Sequence, residues 1–198
     1  MLNKLPYLSE NPAYSKYTVG RYSYGKPIIQ DWGHSNSKLV IGSFCSIGRG
    51  TEIFLGGEHK PKWITTFPLN HVYHHDVNRS TRGRYEQEHS KGDVVIGNDV
   101  WIAADVLILS GTTIGDGAVI GAKSVVKGTI EPYSINIGIP CVEKRKRFSE
   151  TEINCLLKFK WWDWPDEKIK QAIPFLMAED IMGLITFEMD YKNANPTK

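Results

Sequence analysis

Five of the six histidines in this chain lie in one stretch between residues 59 and 89. They are His59, His71, His74, His75 and His89. An imidazole, with an ordinary pKa of about 6.5, is largely neutral at cell pH and can take a proton from a hydroxyl or amine that attacks a carbonyl. His59 stands first in this stretch, directly after Leu55-Gly56-Gly57. From the residues alone, His59 is either a candidate general base or a solvated loop side chain.

The other reactive side chains suggest little chemistry of their own. The cysteines Cys45, Cys141 and Cys155 are odd in number and far apart, without the spacing of a disulfide framework or a cysteine zinc site. Asn, Pro, Ser and Glu break up Met1 to Tyr17, where a signal peptide would be apolar, and no stretch is long enough for a membrane span. We therefore expect a cytoplasmic protein.

The charge of the chain is close to balanced. A formal net charge of +2 favours no polyanionic partner, and Lys144-Arg145-Lys146-Arg147 is a short cluster rather than a basic block. We therefore expect no nucleic-acid partner.

An aliphatic residue returns every six positions through the middle of the chain. In order, these residues are Ile96, Ile102, Ile108, Ile114, Ile120 and Val126. Small or β-branched residues form a second row at the same period. They are Val94, Val100, Val106, Thr112, Ala118, Ser124 and Ile130. Turn formers such as Gly97-Asn98-Asp99 separate successive pairs, so we expect both rows to face inward.

A six-residue period excludes an α-helix for this region. Six steps of 100° do not return to one face of a helix, whereas the alternation of side chains along a strand keeps them aligned. A short strand and a turn in every six residues describe a β-solenoid, with three hexapeptides in each triangular coil and coils about 4.8 Å apart. The alternative, an antiparallel sandwich, has turns of varying length that would break the register. The pattern therefore predicts a solenoid.

Two breaks interrupt the repeat. The same register occurs upstream at Ile41, Ile47 and Ile53, but no repeat is present from residue 56 to residue 93. An unpatterned insertion of this length is uncommon in a compact domain unless it is functional or disordered, and its aromatic content argues against disorder. A shorter break lies between Val19-Gly20 and Ile41. We expect the two breaks to project on the same side.

The composition changes towards helix after residue 140. Ser149 and Glu152 form a capping box, Pro165 is typical of a first helical turn, and residues 180–191 are candidates for a third helix. The predicted organisation is an N-terminal segment 1–18, a β-helix 19–140 with a loop excursion 56–93, and a C-terminal helical segment 141–198.

The repeats Ile96–Trp101 and Ile120–Val125 resemble those of the hexapeptide-repeat acyltransferases, which fold as a left-handed parallel β-helix. The handedness follows from this resemblance and not from the pattern. Gly57-Glu58-His59-Lys60 and Trp161–Pro165 are similar to segments of the xenobiotic acetyltransferase branch, which includes streptogramin and type B chloramphenicol acetyltransferases. The fold class implied is an all-β solenoid with an extruded loop and a small C-terminal α-helical segment.

The resemblance implies transfer of an acetyl group from acetyl-CoA to a hydroxyl or amine of a small-molecule acceptor such as an antibiotic. His59 matches the catalytic histidine, which would act as general base without a covalent acetyl-enzyme. In that branch an Asn often precedes the histidine, and Glu58 replaces it here. Tyr24, Trp32 and Trp63 are the expected acceptor contacts.

Acetyl-CoA needs cations for its phosphates and exposed backbone for its pantetheine amides. By motif position, the cofactor contacts of the family carry over to Ala104, Ala122, Lys127, Gly128 and Arg145. Small side chains leave the backbone reachable, and the two cations can neutralise phosphate charge. In the family the cofactor lies between neighbouring subunits, so the resemblance implies a homotrimer with inter-subunit active sites.

Two alternatives stay open from the sequence. Relatives on the same scaffold acetylate saccharides or polysaccharides, so a sugar acceptor is the second hypothesis. A non-catalytic or metal-binding solenoid is the third, because His71, His74 and His75 could suggest zinc. Solenoid zinc enzymes take their three imidazoles from separate coils, so we expect no metal here.

Overall fold

The computed structural model describes residues 7–32, 36–73 and 90–195. The strands in this part of the chain are β1 Thr18–Val19, β2 Ile28–Gln30, β3 Leu39–Ile41, β4 Ser46–Ile47, β5 Glu52–Phe54, β6 Val94–Ile96, β7 Trp101–Ile102, β8 Leu107–Ile108, β9 Thr113–Ile114, β10 Val119–Ile120, β11 Val125–Val126, β12 Thr129–Ile130, β13 Ser134–Ile137 and β14 Val142–Lys146. The α-helices are α1 Leu69–Val72, α2 Glu150–Phe159, α3 Asp166–Leu176 and α4 Ile181–Ala194. None of the helices in these ranges is both long and apolar enough to cross a bilayer. Two compact units result, Met1–Arg145 and Lys146–Lys198.

The strands of the first unit stack into the faces of a prism. Within the described residues, the first face has the order β1-β3-β6-β9-β12, the second β14-β13-β10-β7-β4 and the third β11-β8-β5-β2. The chain visits the first, second and third faces in turn and then begins the next coil. Within the described residues, strands of successive coils pair in parallel, as Ile96 does with Ile114. This confirms the predicted solenoid.

Both predicted rows point into the prism. Every member of the aliphatic row from Ile96 to Val126 is at most 1% exposed. The second row is buried as well, and its polar members bond inward: the hydroxyl of Thr112 donates to the carbonyl of Leu109 at 2.6 Å. Full burial of an aliphatic side chain contributes about 1.5–3 kcal/mol relative to exposure. The stacked rows therefore form a continuous core, as the period predicts.

The last regular coil is shorter than the repeat predicts. Thr129 and Ile130 pair with Thr113 and Ile114, so the coil takes 16 residues where the one before it takes 18. Ile130 is buried as expected, but it pairs with Ile114 of the aliphatic row, which we call the ladder, instead of extending the row of small residues. The corner between β11 and β12 has shortened, and Gly128 turns it with a φ of +70°.

The shorter break is narrower than predicted, because Tyr24 and Ile28–Gln30 rejoin the coils by pairing with Ser46 and with β5. Both breaks leave the prism at the same edge, which confirms their predicted placement on one side. The shorter break runs from β2 to β3 and the longer from β5 to β6, in each case from the third face to the first. We call this edge the loop corner. The returning ends of the two breaks are bonded together: the amide of Lys38 donates to Asp93 Oδ1 at 2.7 Å, and the hydroxyls of Ser37 and Ser90 lie 2.6 Å apart.

The second unit is helical, with the local signals that the sequence contains. The amide of Ser149 donates to Glu152 Oε2 at 2.8 Å, and the amide of Glu152 donates back to Ser149 Oγ, which completes the capping box. α2 ends at Phe159, and the C-cap Lys160 has a left-handed φ of +46°. Within this unit the buried Lys168 ammonium pairs with Glu188 and lies 3.9 Å from the ring centre of Trp164.

Candidate active site

His59 lies at the loop corner, five residues after the end of β5. The chain turns away from the prism at Gly57, whose φ is +84°. A Cβ at this position would lie 2.7 Å from the ring of Trp32, which itself packs edge-to-face on Phe54 at 5.4 Å. Only glycine satisfies both the backbone conformation and the closeness of the ring. The rigid coil and the indole from the shorter break thus fix where the loop begins.

The imidazole of His59 is oriented by its own loop. Its Nδ1 lies 2.6 Å from the carbonyl oxygen of Thr66. A carbonyl can only accept a hydrogen bond, so Nδ1 is the donor; in the neutral tautomer that this contact selects, the lone pair is on Nε2. The His59 residue is exposed. The arrangement leaves a basic nitrogen free to face a ligand, which is the state that a general base requires.

Glu58 ties the beginning of the loop to the next coil. The hydroxyl of Ser110 donates to Glu58 Oε1 at 2.5 Å, and Lys91 Nζ lies 4.0 Å from the same oxygen. The backbone amide of Lys91 donates to Ser110 Oγ at 3.0 Å. Glu58 Oε2 is buried and accepts no hydrogen bond from the described residues. The carboxylate of Glu58, on the outgoing chain, therefore contacts both Lys91 on the returning chain and Ser110 on the following coil.

The three aromatic candidates for acceptor binding are not all in one place. Trp32 packs beside Gly57, and Trp63 lies four residues after His59 with Lys60 Nζ 4.8 Å from its ring centre. Tyr24 lies on the second face, where its amide donates to the carbonyl of Cys45 and its strand bridges Ser46. The structure thus places Trp32 and Trp63 near the root of the loop and Tyr24 on another side of the prism.

The cofactor candidates occupy two corners and one strand. Ala104 and Ala122 lie at successive levels of the corner between the second and third faces, where the amide of Lys123 donates to the carbonyl of Ala104 at 3.0 Å. Lys127 and Gly128 form the loop corner between β11 and β12. Arg145 lies on β14, at the edge of the second face. Lys127 and Arg145 are exposed residues.

The cysteines of the solenoid are poorly placed for nucleophilic chemistry. Cys45 is fully buried, and its thiol donates to the carbonyl of Gly97 at 3.0 Å. Burial raises the pKa of Cys45 to about 11 and also raises the pKa of Cys141. Both thiols are therefore protonated at neutral pH, as expected for structural positions.

Part of the predicted histidine cluster lies outside the described residues. This applies to His74, His75 and His89, and to the side chain of His71. In the described ranges, no group of three or more His, Cys, Asp or Glu side chains is arranged to hold a metal ion.

The contacts of Glu58 with Ser110 and Lys91 could not be predicted from the sequence. Glu58 stood out only because Asn is more frequent there in the xenobiotic branch. Its partner Ser110 is 52 residues away and looks like an ordinary turn residue of the repeat. No short-range signal could have indicated this contact.

Comparison with known proteins gives the same class as the fold and the site. Residues 93–128 match the family model "Bacterial transferase hexapeptide (six repeats)". A chloramphenicol acetyltransferase of Klebsiella aerogenes is 37% identical over 93% of each chain, and a probable macrolide acetyltransferase of Lysinibacillus sphaericus is 44% identical over 72% of this chain and 78% of its own. Among solved structures, a hexapeptide-repeat acetyltransferase of Vibrio cholerae in complex with acetyl coenzyme A is 23% identical, with a TM-score of 0.50 over 68% of this chain and 62% of that one.

The prism of hexapeptides with a histidine at the root of its loop therefore defines an acyltransferase. The chain belongs to the hexapeptide-repeat acetyltransferases, in the xenobiotic acetyltransferase branch.

Proposed function

We propose that this protein transfers the acetyl group of acetyl-CoA to a hydroxyl, or an amine, of an antibiotic, with His59 as general base. The observation that carries the proposal is the bond between His59 Nδ1 and the Thr66 carbonyl, because it selects the tautomer of the neutral ring in which Nε2 has the lone pair. The relatives named for chloramphenicol, macrolide and virginiamycin acetylation favour an antibiotic over a sugar.

The reaction follows from the chemistry of the imidazole. Nε2 of His59 accepts the proton of the acceptor while the acceptor oxygen or nitrogen attacks the thioester carbonyl. The same proton then passes to the departing thiolate, so the enzyme ends in its starting state. A backbone N–H near the loop corner stabilises the oxyanion. Proton transfer by a positioned side chain typically contributes about 10²–10⁴-fold to a rate.

The residues proposed for acetyl-CoA suit its groups. Gly128 has no atom within 4 Å of where a Cβ would stand, so a ligand can approach the backbone there. Lys127 and Arg145 supply cations for phosphates. The alanines at residues 104 and 122 keep the neighbouring backbone accessible to the pantetheine amides.

These residues are divided between two corners of one prism. The third face, about 16 Å of extended chain, separates the corner with Ala104 and Ala122 from the loop corner. Tyr24 is also away from the loop corner, because it lies on the second face and the loop corner joins the third face to the first. A homotrimer whose left-handed prisms pack side by side would bring one corner of each subunit to the other corner of its neighbour. We therefore propose inter-subunit active sites in a cytoplasmic homotrimer.

The acceptor can be identified by supplying candidates and measuring the free thiol of coenzyme A. The panel contains acetyl-CoA with chloramphenicol, a macrolide, a streptogramin and nucleotide or polymer sugars. We expect thiol release that depends on at least one antibiotic. Release with sugars alone would overturn the proposal in favour of a saccharide O-acetyltransferase.

A further inference from the structure

The neck of the long loop is held by a small polar cluster that the proposed chemistry does not use. Glu58 lies on the outgoing chain, Lys91 on the returning chain and Ser110 on the corner of the next coil. Ser110 Oγ receives the amide hydrogen of Lys91 and gives its own hydrogen to Glu58 Oε1. We call these three residues the clasp. Its hydrogen bonds pass through one hydroxyl, so the two ends of the loop are linked through the solenoid.

Glu58, one member of the clasp, is next to His59 in the chain and is bonded through Ser110 to a rigid part of the fold. The coil on the far side of Ser110 continues into Thr112 and Ile114, which are buried. Gly111 also donates its amide to the carbonyl of Gly92 at 2.9 Å. The position of residue 58, and hence of the backbone of His59, is therefore set against the core and not only within the loop.

The partial burial of the Glu58 carboxylate is energetically unfavourable. Its side chain is only 24% exposed, and Oε2 is buried without a hydrogen-bond donor among the described residues. Buried polar atoms without partners are uncommon in native structures and call for a compensating role. The hydrogen bond that Glu58 accepts from Ser110, through its other oxygen Oε1, supplies such a role.

We propose that Glu58 is a positioning residue that holds His59 in its catalytic place through Ser110, a role that rests on the proposed function of His59. The length of the side chain matters here, not its charge. The ammonium of Lys91 is 4.0 Å away and its side chain is 61% exposed, so the ion pair itself contributes little. An Asp or Asn at this position is one methylene shorter and does not reach Ser110 in the same way.

This distinction between reach and charge makes the proposal testable. Glu58→Gln keeps the length and an oxygen that can accept from Ser110, and a neutral amide is easier to bury than a carboxylate. Glu58→Asp keeps the charge but loses the reach. We expect Glu58→Gln to retain kcat within about threefold, and Glu58→Asp, Glu58→Ala and Ser110→Ala to lower kcat by about 10- to 100-fold, as expected for misplacement of a catalytic group. KM for acetyl-CoA should stay within about twofold in all four variants, because none of them removes a proposed cofactor contact.

A second measurement reports on the clasp without catalysis. The amide of Lys91 should exchange its hydrogen about tenfold faster in Ser110→Ala, where it loses its acceptor, than in the wild-type protein. Glu58→Asp and Glu58→Ala should show an increase in the same direction, and Glu58→Gln should not. Glu167→Ala, which removes an exposed carboxylate from the helical unit, is the matched control and should change neither exchange nor kcat.

The outcomes separate this inference from the proposed function. If Glu58→Asp keeps its activity while Glu58→Gln loses it, activity depends on the charge of the side chain and not on its length. That result would overturn the positioning role. Unchanged kcat and Lys91 exchange in Ser110→Ala would overturn it as well. If instead His59→Ala is as active as the wild type, the assigned role of His59 is at fault, and the exchange measurements still decide whether the clasp exists.

Discussion

The ladder of the solenoid and the loop corner are built by different physical means. In the ladder, the same aliphatic contact is repeated coil after coil, and each buried residue is supported above and below by one like itself. At the loop corner, the chain is held by contacts of different kinds: the packing of Trp32 on Gly57, the clasp, and the hydrogen bond from Lys38 to Asp93. The repeated contacts of the ladder stabilise the fold, whereas the single contacts at the loop corner determine where the chain around His59 lies.

The difference shows where each kind of substitution should act. A change in the ladder removes one of many equivalent contacts, so its main effect is on stability. A change at the corner removes a contact that has no duplicate among the described residues, so it should alter the geometry around His59 more than the free energy of unfolding. Substitutions in the two regions test this separation.

The largest loss of stability is expected from the ladder. Ile108→Ala removes a fully buried side chain that is stacked between Ile53 and Val126 of the neighbouring coils. It should lower the free energy of unfolding by about 2–5 kcal/mol. Thr113→Ala, at an exposed residue on the next strand along the chain, should change it by less than about 0.5 kcal/mol. Denaturant or thermal unfolding measures both. Equal effects would show that the inward row is not the core.

A smaller effect is expected from a pair of glycines at the loop corner. Both have positive φ, +84° at Gly57 and +70° at Gly128, but only at Gly57 would a Cβ meet a ring. Gly128→Ala should therefore cost about 1 kcal/mol from its backbone conformation alone, and Gly57→Ala should cost about 2 kcal/mol or more. Unfolding of the two variants under identical conditions compares them. If Gly128→Ala were the more destabilising, Trp32 would not be packed as described.

The smallest effect concerns the buried thiol of Cys45 in the core of the prism. With a pKa of about 11, Cys45 is protonated at pH 8, so a thiol reagent should leave it unmodified in the folded protein and label it after unfolding. Because the folded pKa is higher than the unfolded value, the stabilisation from the neutral thiol is complete below pH 9 and is lost as the pH rises towards 11. Mass spectrometry of the labelled peptide checks the first statement. Rapid labelling of Cys45 in the folded state would contradict its burial.

Much of the ladder could be predicted from sequence because its cause is local and repeated. Ile96 to Val126 recur without exception, so the period determines which side chains face inward. Ile130 shows the limit, since the loss of two residues at the corner between β11 and β12 shifts its register without breaking the pattern of residue types.

The loop corner could be predicted only in part. His59 was found from its residue type and its place after Gly57, and the resemblance supplied its role. The hydrogen bond to Thr66 depends on how the loop folds back on itself, and the contact between Glu58 and Ser110 joins residues 52 positions apart. Contacts of this kind follow from the tertiary fold and leave no periodic signal in the sequence.

The central claim is that His59 at the loop corner is the general base, and the rate of coenzyme A thiol release tests it most directly. With a confirmed antibiotic acceptor at saturating acetyl-CoA, His59→Ala should lower kcat by about 10²–10⁴-fold while the unfolding midpoint stays near that of the wild type, because the side chain is exposed. A variant that folds normally and turns over within about threefold of the wild-type rate would contradict the account.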